Sequence, residues 1–214
     1  MGSPQQLRDM INTCRKNGVR VYADAVVNHM AGNGNDMFPD HCVGSNYWGG
    51  KNSSGGNPYW SQGFAYKEWF VTGERPGMES PGVPYGPNDF HCARSLNSWT
   101  DGFILNYGWL VNLADLNTET EYVRQRIADY FTSLLGMGFS GFRIDAAKHI
   151  SPKNLAAIFA KFKVNMGGRF PDDFITYLEV IIGGEKDLLM CQSNDYNYGP
   201  NFAQFMKDAG LSDD

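Results

Sequence analysis

An α/β fold is predicted for this chain of 214 residues. Two observations predict it. A helical apolar period near the N-terminus passes directly into a β-rich hydrophobic run, and helix-then-strand alternation resumes after residue 115. A long stretch between these parts has neither period and is read as an irregular, partly β subdomain. Hydrophobic residues make up 42% of the chain and charged residues 19%, so a packed core is within reach and disorder is not indicated.

The first helix opens at Ser3. Pro4 suits the first helical position and Gln6 completes a capping box. Leu7, Met10, Ile11 and Cys14 fall on one face, and Gly18 ends the helix. Val19 to Val27 follow as a strand that closes on Asn28 and His29.

The composition then changes. Residues 31–109 hold 14 of the 25 glycines, 6 of the 10 prolines and all 5 tryptophans. Runs such as CVGSNYWGGKNSSGGNPYW and ERPGMESPGVPYGPND leave no room for a long helix. The aromatic content argues for an ordered insert rather than a tether. Trp48, Trp60, Trp69, Trp99 and Trp109 suit the core of that subdomain better than a ligand-stacking role.

Regular structure resumes near Asp115. Thr118 and Glu121 suggest a second capping box, Val123, Ile127, Tyr130 and Leu134 a helix face, and Gly136 its end. FSGFRID at 139–145 reads as a strand. Ser151-Pro152 opens a third helix with Leu155, Ile158, Phe159 and Phe162 apolar. FITYLEV at 174–180 reads as another strand, and NFAQF at 201–205 as a short strand or helix. Strands joined by helices imply parallel crossovers. These strands end in polar residues: Asn28-His29, Asp145 and Glu179. Such residues collect at the active rim of a (β/α)8 barrel, and an open doubly wound sheet would gather them likewise.

Several function classes are disfavoured. The net charge is −5 with a pI near 5.3 and no basic patch, which argues against nucleic acid. No Gly-rich phosphate fingerprint follows a strand. No apolar run is long enough for a membrane span, and the N-terminus has no apolar signal-peptide core. Cys14, Cys42, Cys92 and Cys191 form no CxxC pair; buried thiols and secreted-protein disulfides both remain open.

Strand alternation places Arg143 and Asp145 on one face and Phe142 and Ile144 on the other. Ile175, Tyr177 and Glu179 share a face of the next strand. Asp145 and Glu179 can thus sit side by side, as the two carboxylates of a glycosidase do; a retaining enzyme needs them about 5–5.5 Å apart. Arg143 would keep Asp145 ionised. Leu178 and Val180 would desolvate Glu179 in part and raise its pKa toward that of a useful acid. From spacing alone a surface ion pair and a solvated glutamate are the favoured reading, because ion pairs are common and a pair of strands is not a motif.

VYADAVVNHM, GFRIDAAKHI and YLEVI, in this order, resemble three signature regions of the α-amylase family of glycoside hydrolases, and LADLNTE at 113–119 resembles a fourth. The likeness covers essentially the whole chain and is nearest to animal-type members. It implies a portion of a (β/α)8 TIM barrel, about strands 3 to 6, with the irregular subdomain inserted after strand 3. The implied division is 1–30 and 115–214 as barrel segments and 31–114 as a calcium-associated insert. The implied activity is retaining endo-hydrolysis of α-1,4-glucosidic bonds in starch, glycogen and maltooligosaccharides by a secreted, monomeric enzyme.

Position by position, the resemblance makes Asp145 the nucleophile and Glu179 the general acid/base. Arg143 supports the nucleophile and, in animal-type members, helps bind chloride. His29 bonds the sugar beside the scissile bond, and Lys148 and His149 contact the sugar on the leaving side. Asn28, Asp115, the backbone carbonyl of His149 and, more loosely, the backbone of Asn106 would hold a structural Ca2+ that pins the insert to the barrel. Oxygen ligands of these kinds suit that ion. Without the motif, His29 reads as a strand-end histidine, Lys148 as a solvated lysine and Asp24 as a structural partner of Arg143.

The sequence departs from the family in two respects. No FVDNHD-like motif, which carries the third family carboxylate, occurs in it. The resemblance places the disulfide partners of Cys14 and Cys42 upstream of residue 1, puts glycine near Gly108 where a partner for Cys92 stands, and offers no counterpart for Cys191. The expectation is a chain truncated at both ends, with open barrel edges and little activity alone. An α-glucosidase, a glucanotransferase and a non-catalytic glucan- or calcium-binding fragment are the alternatives.

Overall fold

The computed structural model describes residues 2–30, 85, 89–91, 94–180 and 207. NFAQF, Trp48, Trp60, Trp69, Cys42, Cys92 and Cys191 lie outside these residues. The chain divides into two units, Met1–Val27 with Arg124–Asp214, and Asn28–Val123.

The first unit holds helix α1 (Pro4–Lys16) and strand β1 (Ala23–Val26). Ser3 Oγ accepts from Gln6 N and Gln6 reaches back to Ser3 N, so the capping box forms. Of the apolar face expected for α1, only Ile11 is fully buried; Met10 is 44% exposed. Arg15 ties the helix down by donating to the Gly138 carbonyl and to Ser140 Oγ, each at 2.9 Å.

Strand β4 (Gly141–Asp145) is central. It pairs in parallel with β1, Asp24 opposite Arg143 and Val26 opposite Asp145, and with β5 (Ile175–Leu178), Arg143 opposite Tyr177. Parallel pairing requires long crossovers, and helix α4 (Pro152–Asn165) supplies the one from β4 to β5. The two strands between β1 and β4 in chain order belong to the second unit, described below.

One face of this sheet is a phenylalanine core. Phe142 stacks on Phe131 of helix α3 (Glu121–Met137) with ring centroids 4.7 Å apart, and meets Phe162 of α4 at 5.7 Å. Phe159, Phe170 and Phe174 extend the cluster. Full burial, as of Phe131, Phe142, Phe159 and Phe162, stabilises the fold by about 1.5–3 kcal/mol per ring. The expected α4 residues Leu155, Ile158, Phe159 and Phe162 are all buried.

Three details of α3 differ from expectation. Tyr130 is 42% exposed, and Phe131 takes the core position with Ile127 and Leu134. The helix continues through Gly136 and ends at Gly138, which has φ +108 and whose N–H bonds the Leu135 carbonyl. Gly136 therefore stays helical; the left-handed turn, not the first glycine, stops the helix. The N-terminal cap is Thr120, whose Oγ1 accepts from Val123 N at 3.3 Å. Thr118 is instead buried two residues earlier.

The second unit is irregular, as its composition predicts. Strands β2 (His29–Met30) and β3 (Ala114–Asp115) pair antiparallel, His29 opposite Asp115. An isolated bridge joins Phe90 to Leu116. Helix α2 (Gly102–Tyr107) is capped by Asp101, which accepts from Phe103 N and Ile104 N. Tyr85, Phe90, Leu105, Ala114 and Leu116 form its apolar core.

Candidate active site

The face of the first unit's sheet opposite the phenylalanines is charged. Alternation along β1 and β4 puts Asp24, Arg143 and Asp145 there. Glu179 joins them one residue past β5, because its N–H continues the strand ladder to the Ile144 carbonyl at 2.9 Å. The four side chains meet around one guanidinium. Arg143 Nη1 donates to Asp24 Oδ1 at 2.5 Å and to Asp145 Oδ1 at 2.9 Å, and Nη2 pairs with Glu179 Oε1. The side chains of Asp145 and Glu179 are each about a quarter exposed, at 24% and 25%, so both remain open to a ligand.

The electrostatics follow from these contacts. Hydrogen bonds to Asp145 and Asp24 raise the Arg143 pKa further and keep it cationic. Glu179 goes the other way from expectation. Its pKa is lowered, first by the backbone N–H of Ala146, which donates to Oε2 at 3.0 Å, and then by the Arg143 charge. Flanking by Leu178 and Val180 does not desolvate the carboxylate enough to offset these donors. In this arrangement Glu179 is ionised.

β4 ends in a tight turn. Ala146 is left-handed and a 3-10 turn, Ala147–His149, follows it. Lys148 and His149 are both buried, so Lys148 is not the solvated lysine read without the motif.

In the second unit, Asn28, His29 and Asp115 come together. Asn28 Nδ2 donates to Asp115 Oδ1 at 3.1 Å and lies 3.3 Å from His29 Nδ1. His91 completes the cluster: its Nδ1 lies 2.6 Å from Asp115 Oδ2 and its Nε2 2.8 Å from Glu119 Oε2. Burial works to lower the His91 pKa, but hydrogen bonds to Asp115 and Glu119 outweigh it and raise it to about 9. Burial pushes the Asp115 carboxyl up to about 7, opposed by the bond from His91. The direction the geometry supports is a cationic His91 held between two carboxylates. Sequence reasoning missed His91. It sits in a Gly- and Pro-rich run with no strand or helix period, and no spacing marks it. Asn106 lies in the last turn of α2, where backbone carbonyls lack intrahelical donors.

Among the described residues, no group of three or more His, Cys, Asp or Glu side chains could hold a metal. Calcium does not need such a group, because amide and backbone oxygens serve it. A buried carboxylate beside an amide side chain offers oxygen donors of the kind that ion takes, and here both carboxylate oxygens of Asp115 also meet Asn28 and His91. Chloride does not fit the described residues in the same way. Both terminal nitrogens of Arg143 are engaged by carboxylates, which leave the local charge net negative.

Comparison with known proteins identifies the family. The sequence matches the family described as "Alpha amylase, catalytic domain" over residues 1–209. It is 36% identical to an α-amylase of Tribolium castaneum over 188 residues, covering 86% of this chain and 32% of that protein. It is 39% identical to an α-amylase of Thermomonospora curvata over 163 residues, 76% of this chain and 22% of that one. The crystal structure of α-amylase I from Eisenia fetida superposes with a TM-score of 0.59 at 31% identity, covering 92% of this chain and 35% of that one. A mutant of that enzyme complexed with maltohexaose superposes at 0.60 with 30% identity, covering 92% of this chain and 35% of that one. The chain thus spans about a third of the length of these two structures. By sequence and by structure, the chain belongs to the α-amylase family of glycoside hydrolases, whose catalytic domain is a (β/α)8 barrel.

Proposed function

We propose that this chain carries the nucleophile and the general acid/base of an α-amylase that cleaves α-1,4-glucosidic bonds of starch, glycogen and maltooligosaccharides within the chain and with retention. The observation that carries the reading is the convergence of Asp145 and Glu179, from adjacent parallel strands, on Arg143. The relatives' names and the maltohexaose complex of the Eisenia fetida mutant support the substrate class.

In the first step, a carboxylate oxygen of Asp145 attacks the anomeric carbon while protonated Glu179 gives its proton to the departing glycosidic oxygen. In the second, ionised Glu179 takes a proton from water, and the water oxygen displaces Asp145. Arg143 stabilises Asp145 as an anion throughout. The ionised Glu179 of this arrangement is the form that the second step needs. The first requires that a bound sugar exclude water and weaken the Arg143–Glu179 contact, which raises the pKa.

His29, Lys148 and His149 are proposed as sugar contacts, as the family resemblance implies. As the family resemblance implies, Asn28 and Asp115 are proposed to hold a structural Ca2+, with backbone oxygens of Asn106 and His149 as further donors. The barrel segments are proposed as 1–30 and 115–214 and the calcium-associated insert as 31–114. Secretion is proposed from the relatives. Among the described residues no helix is long and apolar enough to cross a membrane.

The test is hydrolysis of soluble starch by a protein of the relatives' length carrying Asp145→Asn. Loss of hydrolysis with retained glucan binding supports the assignment, and surviving hydrolysis overturns it. Product analysis separates an α-amylase from an α-glucosidase or a glucanotransferase. The 214 residues alone, which lack an FVDNHD-like motif, are proposed to hydrolyse starch poorly; relative-like rates from them would contradict this.

A further inference from the structure

Ala146 directly follows Asp145 and has φ 49 and ψ 32. Its side chain is alanine, not glycine, so this left-handed conformation costs about 1–2 kcal/mol. The turn is also well determined by its surroundings. Ala146 is 7% exposed, and its carbonyl accepts from His149 N at 2.9 Å. Its N–H donates to Glu179 Oε2 at 3.0 Å. Glu179 is brought within reach because its own N–H extends the β4–β5 ladder to Ile144.

The two anchors of the Glu179 carboxylate differ in kind. Arg143 is shared with Asp24 and Asp145, so its hold on Oε1 competes with two other carboxylates. The Ala146 N–H is a single fixed donor set by one backbone conformation. Strain kept at such a position, next to a proposed nucleophile, is the kind that a functional constraint maintains.

We infer that Ala146 is a positioning residue for Glu179: its left-handed backbone aims an N–H at Oε2 and thereby fixes where the acid/base carboxyl stands relative to Asp145. The inference rests on the reading of Glu179 as acid/base and adds the part of the chain that orients it. Among the described residues, the charged groups facing Glu179 are Arg143 and Asp145 on β4, with Asp24 on β1 acting through Arg143. A substitution at residue 146 alone leaves the identity of these three groups unchanged. Residues that tolerate the left-handed region should preserve the donor; a β-branched residue should lose it.

The test uses the chain itself, by NMR. The amide of residue 146 and the carboxyl carbon of Glu179 are followed through an acid titration in the natural sequence and in Ala146→Gly, Ala146→Asn and Ala146→Thr. Asn and Thr are close in volume and differ in their tolerance of positive φ. In the natural sequence, Gly and Asn proteins, the 146 amide should shift with the Glu179 carboxyl at one midpoint below 4.5, the ordinary value. In the Thr protein the amide should stop following, and the Glu179 midpoint should rise toward that value. The inference is overturned if the natural 146 amide ignores the Glu179 midpoint, or if a folded Thr protein keeps the lowered midpoint. Should Thr fail to fold, the amide response in the other three decides. The titration reads the contact without any hydrolysis, so a failed glycosidase reading appears separately, as an intact titration in a protein that cleaves no glucan. In an active protein, Ala146→Thr should lower kcat more than it changes KM and move the acid limb of the pH profile.

Discussion

Glu179 is held from two sides, by a guanidinium on Oε1 and a backbone N–H on Oε2. Both donors favour the carboxylate, so the folded pKa lies below the ordinary 4.5. A carboxyl lowered on folding adds stability that is present above its unfolded pKa and lost as pH falls through the folded value. Glu179→Gln is therefore expected to flatten the loss of stability below about pH 4.5. Denaturant unfolding at a series of acid pH values measures this, and an unchanged acid slope would contradict it. Strand alternation made Asp145 and Glu179 legible as possible partners, because it fixes which side chains share a face; only the ordered family motifs pointed to their proposed roles. The sense of the Glu179 shift was not. Its main cause is a backbone donor 33 positions away in sequence, placed by a left-handed turn that no residue type announces. His91 was hidden for a related reason: its partners Asp115 and Glu119 are set by chain folding, not by spacing.

Strands and helices with a strong period emerged close to where the sequence puts them. The expected strands at 139–145 and 174–180 appear as Gly141–Asp145 and Ile175–Leu178. Ends were less legible, since several nearby residues offer the same capping chemistry. At α3, Thr120 caps where Thr118 was expected. Thr120→Ala should lower stability by about 1 kcal/mol through the lost cap. Thermal or urea unfolding reads this directly, and no loss would return the cap to Thr118. Gly141 marks the most constrained approach between elements. A Cβ there would lie 1.7 Å from the Ile175 carbonyl oxygen. Gly141→Ala must push β4 and β5 apart and should cost about 3 kcal/mol or more. It should also separate Asp145 from Glu179. A stable Gly141→Ala protein with unaltered β5 amide signals would contradict the pairing described here.

At the scale of the molecule, the (β/α)8 class was legible through ordered motifs rather than through composition, and three parallel strands with two covering helices are what the described residues contribute to it. The second unit resisted reading because its Gly- and Pro-rich sequence carries no period, and its order rests on buried polar contacts. Calcium should stabilise that unit by about 2–3 kcal/mol at a hundredfold excess over its Kd. Thermal unfolding with and without a chelator measures it, and identical midpoints would remove Asn28 and Asp115 as ligands. The central claim is that Asp145 attacks the sugar while Glu179 handles the proton. Its most direct test is to treat a protein of the relatives' length carrying Glu179→Gln with an α-maltosyl fluoride. Fluoride departs without an acid, whereas release of the sugar from the enzyme needs the base. The account predicts a maltosyl adduct, found by mass spectrometry on the peptide that contains Asp145. A folded protein that binds the fluoride yet carries its adduct on another residue, or consumes it with no adduct and no dependence on Asp145, would contradict it.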